Sequence, residues 1–165
     1  FTTWAGWLIS YTRDFYLIVD DAAGTLIDTA VRDLAMIGLD RIAGYFDAEV
    51  VDALAAGERP LGTVPQITVH DLKQSLAHDA VTLVDVRNDG EWAGGHIDGA
   101  IHISLGTLGD RVSEVPTNKP IVVQCAAGAR SSIAASVLKA RGVDNVINLV
   151  GGMGEWRKAG LSVIG

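Results

Sequence analysis

From Ile67 onward, short β-branched apolar runs alternate with stretches whose apolar residues recur at helical spacing. That alternation predicts strands joined by crossover helices in a parallel sheet. Thr68 to Leu76 predicts a helix: Thr68 is an N-cap candidate, Asp71 stands at N3, and Leu72 and Leu76 fall on one face. Val81 to Val86 is too short and too β-branched for a helix and predicts a strand, with Asp85 and Arg87 at the carboxyl end, where site residues collect in such sheets. Ile121 to Val123 predicts a second buried strand, which runs straight into Cys125, Gly128 and a helix-like stretch from Ser131 to Arg141. Gly142 ends that helix, Val146 to Val150 predicts another strand, and Gly151-Gly152 opens a short last helix carrying Met153 and Trp156.

The amino-terminal third repeats part of this pattern. Leu17 to Phe46 aligns without a gap onto Ile121 to Val150 at an offset of 104 residues. Identical pairs are Val19/Val123, Ala22/Ala126, Ala23/Ala127, Gly24/Gly128, Ala30/Ala134, Leu34/Leu138, Gly38/Gly142 and Asp40/Asp144, and Asp21 falls opposite Cys125. The expected organisation is a partial, inactive α/β unit over residues 1–57, a linker over 58–66 containing Pro60, Gly62 and Pro65, and an intact α/β domain over 67–165.

Composition narrows the function classes. At 48% hydrophobic and 20% charged residues the chain has the make-up of a folded globular protein. The formal net charge of -7 opposes nucleic-acid binding, which relies on phosphate-tracking positive charge, and points to a small substrate or a protein partner. Asp14, Asp20 and Asp21 interrupt the most apolar region, so no run approaches the roughly 18 residues of a membrane span. The chain starts at Phe1 with no basic segment before Leu8 and Ile9, and it reads as a fragment of a longer, cytoplasmic protein. Its single cysteine forms no internal disulfide and fits a reducing compartment, and no Cys/His cluster has zinc-site spacing.

Cys125 is the candidate nucleophile. It ends an apolar strand and precedes a helix, and Ala126, Ala127, Gly128 and Ala129 between it and Arg130 are small enough to bring backbone N–H groups close. Such a loop forms an anion nest, and the following helix end adds partial positive charge; both favour a thiolate or a persulfide anion. Arg130 adds a full charge.

At these residues the chain resembles the rhodanese family, over residues 67–165. Asp85-Val86-Arg87 with Glu91-Trp92 is similar to the family's Asp-x-Arg-x-x-x-Glu-aromatic signature, and Gly95 to Ala100 to its Gly-His-Ile-x-Gly-Ala element. Cys125 to Arg130 resembles its six-residue active-site loop, and Gly151-Gly152 with Trp156 its closing element. The resemblance implies a rhodanese-like α/β fold with a central parallel sheet flanked by helices, and no cofactor or metal. It implies a sulfurtransferase that carries sulfane sulfur on Cys125, with thiosulfate or a glutathione-type persulfide as donor and a thiol or cyanide as acceptor. Ala126, Ala127, Gly128, Ala129 and Arg130 would bind the anion. Asp85, Arg87 and Glu91 would brace the loop, with Glu91 paired to Arg87, or form no more than a surface salt bridge; His96 would fix a turn. Trp92 and Trp156 are expected to pack, and His102 and Ser104 stand where relatives often carry Asn and Pro. The whole chain resembles the carboxyl-terminal part of a bacterial fusion with an upstream metallo-β-lactamase-fold domain, of the persulfide dioxygenase kind. Two alternatives stay open: a sulfur-relay or docking module, and a phosphatase or arsenate reductase, against which the short loop weighs.

Overall fold

A computed structural model describes residues 1–21, 24–57 and 61–165. The pairs Ala22/Ala126 and Ala23/Ala127 of the internal repeat, and residues 58–60 of the expected linker, lie outside the described residues. The chain divides into two compact units, Phe1–Gly62 and Thr63–Gly165.

The first unit contains α1 (Thr2–Leu8), β1 (Phe15–Val19), α2 (Leu26–Ala35), β2 (Ile42–Asp47) and α3 (Glu49–Ala55). Strands β1 and β2 pair in parallel, and Leu34, Leu39 and Ala5 form a small core against Phe15, Leu17 and Ile42. The order strand, helix, parallel strand, helix repeats in the second unit close to the 104-residue offset. Register departs from the offset: Leu17 pairs with Tyr45, whereas its counterpart Ile121 pairs with Val146, the counterpart of Ile42.

In the second unit the elements are β3 (Gln66–Ile67), α4 (Val69–Ala77), β4 (Thr82–Asp85), α5 (Asp89–Ala93), β5 (Ile101–His102), α6 (Leu105–Leu108), β6 (Ile121–Gln124), α7 (Ala129–Ala140), β7 (Val146–Leu149) and α8 (Gly152–Lys158). The strands form one parallel sheet in the order β3-β7-β6-β4-β5. This is the α/β architecture that the alternating pattern predicts, and every residue of β6 is buried, as a central parallel strand requires.

Helix α4 starts where the capping pattern predicts, with the Thr68 hydroxyl accepting the Asp71 N–H. Its Val69 and Leu72 join Leu83, Ile97, Val122, Leu149, Met153 and Trp156 in the main core. Trp156 anchors α8 there and satisfies its indole N–H on the Ser162 carbonyl at 2.9 Å. Residues Thr63 to Gln66, expected in the linker, belong with this second unit. Asn148 donates its N–H to the Pro65 carbonyl at 2.9 Å, and Lys139 Nζ donates to that of Thr63 at 2.9 Å. Two-residue strands such as β3 and β5 carry no periodic signal, so only the backbone partners offered by β7 and β4 define them.

Candidate active site

Adjacent strands β4 and β6 bring the two halves of the site together: Asp85 pairs in register with Gln124, one residue before Cys125. The turn after β6 is tight because Gly128 takes φ 106°, a left-handed conformation that L side chains rarely adopt, and α7 begins at the next residue.

Cys125 is 1% exposed, yet backbone donors point at its sulfur. Gly128 N–H donates to Sγ at 3.1 Å, and Ser131 Oγ lies 3.5 Å away. Burial is the largest single influence on the thiol and pushes its pKa up. Hydrogen bonds from the Ser131 hydroxyl and from the amides of Ser131, Ala127 and Gly128 together outweigh it, and the net direction is down. The Ser131 hydroxyl has one proton to give. It donates to the Gly128 carbonyl at 3.0 Å while the sulfur is a neutral thiol, and a thiolate competes for it.

The loop is held from the far side by α8. Met153 and Gly154 donate their N–H groups to the carbonyls of Cys125 and Ala126 at 2.8 and 2.9 Å. With those carbonyls drawn away, the loop's N–H groups are left to face the sulfur. Close approach depends on Gly152, at φ 54°, where a Cβ would collide with the Cys125 carbonyl oxygen.

Asp85 and Arg87 form a buried pair, their side chains 0% and 4% exposed. Arg87 Nε and Nη2 bind the Asp85 carboxylate at 2.6 to 3.0 Å, and the remaining donors hold the carbonyls of Glu91 and Gly95 at 3.1 and 3.0 Å. The guanidinium thus fastens α5 and the turn after it to the end of β4. The Glu91 carboxylate does not take Arg87, the partner that the family resemblance implies. It takes Arg130 in a bidentate bridge, 2.7 Å on both arms. Arg87 is already saturated by the nearer Asp85, and the α5 capping box turns Glu91 back to the Asn88 N–H, within reach of α7. Arg130, the largest influence, holds the Glu91 carboxyl below the usual carboxylate range, against a smaller opposing effect of burial. Much of the Arg130 charge is compensated in this way.

His96 joins the turn, its ring Nδ1 3.2 Å from the Trp92 carbonyl and its backbone bridged to Ile164. The Trp92 ring stacks with those of both His96 and His102, at 3.6 and 4.7 Å between centroids. His102 contacts the Arg87 carbonyl through Nε2 at 2.9 Å, which ties β5 to the same corner. A cleft of ≈ 340 Å³ opens beside the loop, lined by Arg87, Glu91, Ala126, Met153, Gly154 and Arg157. Among the described residues no three His, Cys, Asp or Glu side chains gather as metal ligands, and no helix is long and apolar enough to cross a membrane.

Ser131 and Arg157 were not singled out by sequence reasoning. Ser131 carried a signal, as the first polar residue after Arg130 on the opening turn of a helix; Arg157 had none, since nothing local distinguishes it from any exposed helical arginine.

The model of the rhodanese-like domain family matches residues 68–159. A putative sulfur carrier protein from Bacillus subtilis, YrkF, is 37% identical over 95 residues, 57% of this chain and 51% of its own, so the chain spans about half of that relative. The thiosulfate sulfurtransferase GlpE of Shewanella oneidensis is 31% identical over 99 residues, 60% of this chain and 98% of its own. Among solved structures, a rhodanese-related protein from Thermoplasma volcanium superposes with a TM-score of 0.57 at 30% identity, covering 61% of this chain and 97% of that one. With the α/β sheet, the strand-to-helix cysteine loop and a family match over more than half its length, the chain belongs to the rhodanese-like domain family.

Proposed function

We propose that the chain is a sulfurtransferase in which Cys125 carries sulfane sulfur between a donor and a thiophilic acceptor. The observation that carries this reading is the convergence of the Ala127, Gly128 and Ser131 amides on one cysteine sulfur whose pKa is lowered despite burial. In the first step the Cys125 thiolate attacks the sulfane sulfur of thiosulfate or of a low-molecular-weight persulfide. A bond forms between Sγ and that sulfur, and the donor's own bond to it breaks, its electron pair leaving on sulfite or on a thiolate. The terminal sulfur of the resulting Cys125 persulfide stays anionic, opposite the loop donors. In the second step cyanide or a thiolate attacks that sulfur, and Cys125 leaves as the thiolate it was. Nothing is oxidised or reduced overall. Asp85, Arg87, Glu91 and His96 act by holding the corner of β4, α5 and β5 against the loop, and Arg130 ties the start of α7 to α5.

The test is intact-mass measurement after treatment with thiosulfate or glutathione persulfide. The wild-type chain should gain the mass of one sulfur, and Cys125→Ala should gain none. Loading of the alanine variant would overturn the assignment.

A relay function is the second reading, favoured by the 1% exposure of Cys125 and by the name of the YrkF relative as a putative sulfur carrier. Faster loading by a persulfide than by thiosulfate supports it. We further propose that the first unit is an inactive copy, and that both belong to the tail of a fusion with a metallo-β-lactamase-fold domain. In support of the inactive copy, Asp21 stands at the position matching Cys125, and its carboxylate accepts the Thr25 and Ile27 N–H groups at 2.9 and 2.8 Å. An anion cradle persists there, filled by a carboxylate, which cannot carry sulfur.

A further inference from the structure

The cleft beside the loop holds three charged side chains, and two of them are neutralised within the site. Arg87 is paired with Asp85, and Glu91 with Arg130. Arg157 is left over. Its Nη2 touches only carbonyls, that of Gly94 at 2.9 Å and that of Gly95 at 3.5 Å, and among the described residues it enters no ion pair. Carbonyl contacts orient a guanidinium without cancelling its charge.

Its place on α8 matters as much as its charge. Arg157 lies four residues after Met153 and three after Gly154, so it neighbours both positions on the surface of α8, and all three line the cleft. Gly154 donates to the carbonyl of Ala126, the neighbour of Cys125, and Arg157 follows three residues later, most of a helical turn or about 4.5 Å of rise further along α8. The floor between them is Met153 and a glycine, with no side chain on Gly154 to block it.

We propose that Arg157 is the residue that selects the donor, by binding a carboxylate displaced from the sulfane sulfur in a low-molecular-weight persulfide of the glutathione type. This rests on the sulfur-transfer reading above. Thiosulfate is a poor match, because its oxygens all lie on the atom next to the sulfane sulfur and cannot extend that far along the cleft. A carboxylate-bearing persulfide spans that distance while its terminal sulfur is offered to Cys125.

The test measures Cys125 loading by mass, with three donors presented to wild type, Arg157→Ala and Arg157→Lys of the full chain. The donors are glutathione persulfide, uncharged 2-hydroxyethyl persulfide and thiosulfate. For Arg157→Ala, kcat/KM with glutathione persulfide should fall about tenfold, carried by KM, the loss expected for one hydrogen bond to a charged group. Loading by the uncharged persulfide and by thiosulfate should change less than about twofold, and Arg157→Lys should recover part of the loss because the charge remains. Added salt should weaken glutathione persulfide loading in wild type and have little effect in Arg157→Ala. An equal fall with all donors would mean that Arg157 acts only through the Gly94 and Gly95 carbonyls, and would overturn the proposal, as would an unchanged KM for glutathione persulfide. If wild type accepts sulfur from none of the three donors, it is the sulfur-transfer reading that fails.

Discussion

Replacing Gly152 by alanine separates the two costs of that position. The first is conformational: at φ 54° an alanine sits in the left-handed region, which costs about 1–2 kcal/mol. The second is steric, because the new Cβ would collide with the Cys125 carbonyl oxygen and lie 3.0 Å from the carbonyl carbon and oxygen of Ala126. Those atoms are backbone and cannot rotate aside. To relieve the contact, α8 must withdraw and give up the Met153 and Gly154 hydrogen bonds to the loop, each worth about 0.5–1.5 kcal/mol. The total is roughly 2–5 kcal/mol, and it falls on the loop that shapes the sulfur cradle. Gly160→Ala supplies the comparison: its φ is 68° but no atom lies within 4 Å of the new Cβ, so only the conformational cost applies. Urea unfolding should show Gly152→Ala losing at least about 1 kcal/mol more than Gly160→Ala. Sulfur loading followed by mass should fall at least about tenfold in the first variant and stay at the wild-type rate in the second. Equal stability and equal loading in the two variants would refute the argument that α8 holds the cysteine loop by close backbone contact.

Two further outcomes follow from the site. The lowered pKa of Cys125 predicts that alkylation by iodoacetamide rises with pH around a midpoint below that of an ordinary thiol. Ser131→Ala removes a lowering hydrogen bond, so its midpoint should move to higher pH; an unmoved profile would show that the hydroxyl serves the Gly128 carbonyl alone. Asp85→Asn leaves the Arg87 guanidinium charged, buried and without its counterion, and should destabilise the chain by about 3–5 kcal/mol in chemical denaturation. A loss under about 1 kcal/mol would mean that water reaches the pair and screens it, as in surface salt bridges.

The chain's local chemistry carried much of the architecture. Thr68 and Asp71 mark the start of α4, Gly142 the end of α7, and the apolar run from Ile121 the central strand, because capping, glycine punctuation and burial act over a few neighbouring residues. The cysteine loop was legible for the same reason: Cys125, the small residues after it and the helix that follows are contiguous. Pairings across the fold were not legible. Glu91 chooses Arg130, 39 positions away, over Arg87 four positions away, and only the pairing of β4 with β6, the strands that α5 and α7 follow, makes that contact available. Gly152 reads in the chain as a helix start, yet its reason for being glycine is the Cys125 carbonyl, which the fold returns to its side. That Arg157 has no ion-pair partner among the described residues emerges once its neighbours have been matched with partners from other elements. Short-range steric and capping preferences are written along the backbone. Which ion pairs with which, and which charge remains uncompensated, depends on distances that exist after the sheet has brought remote segments together.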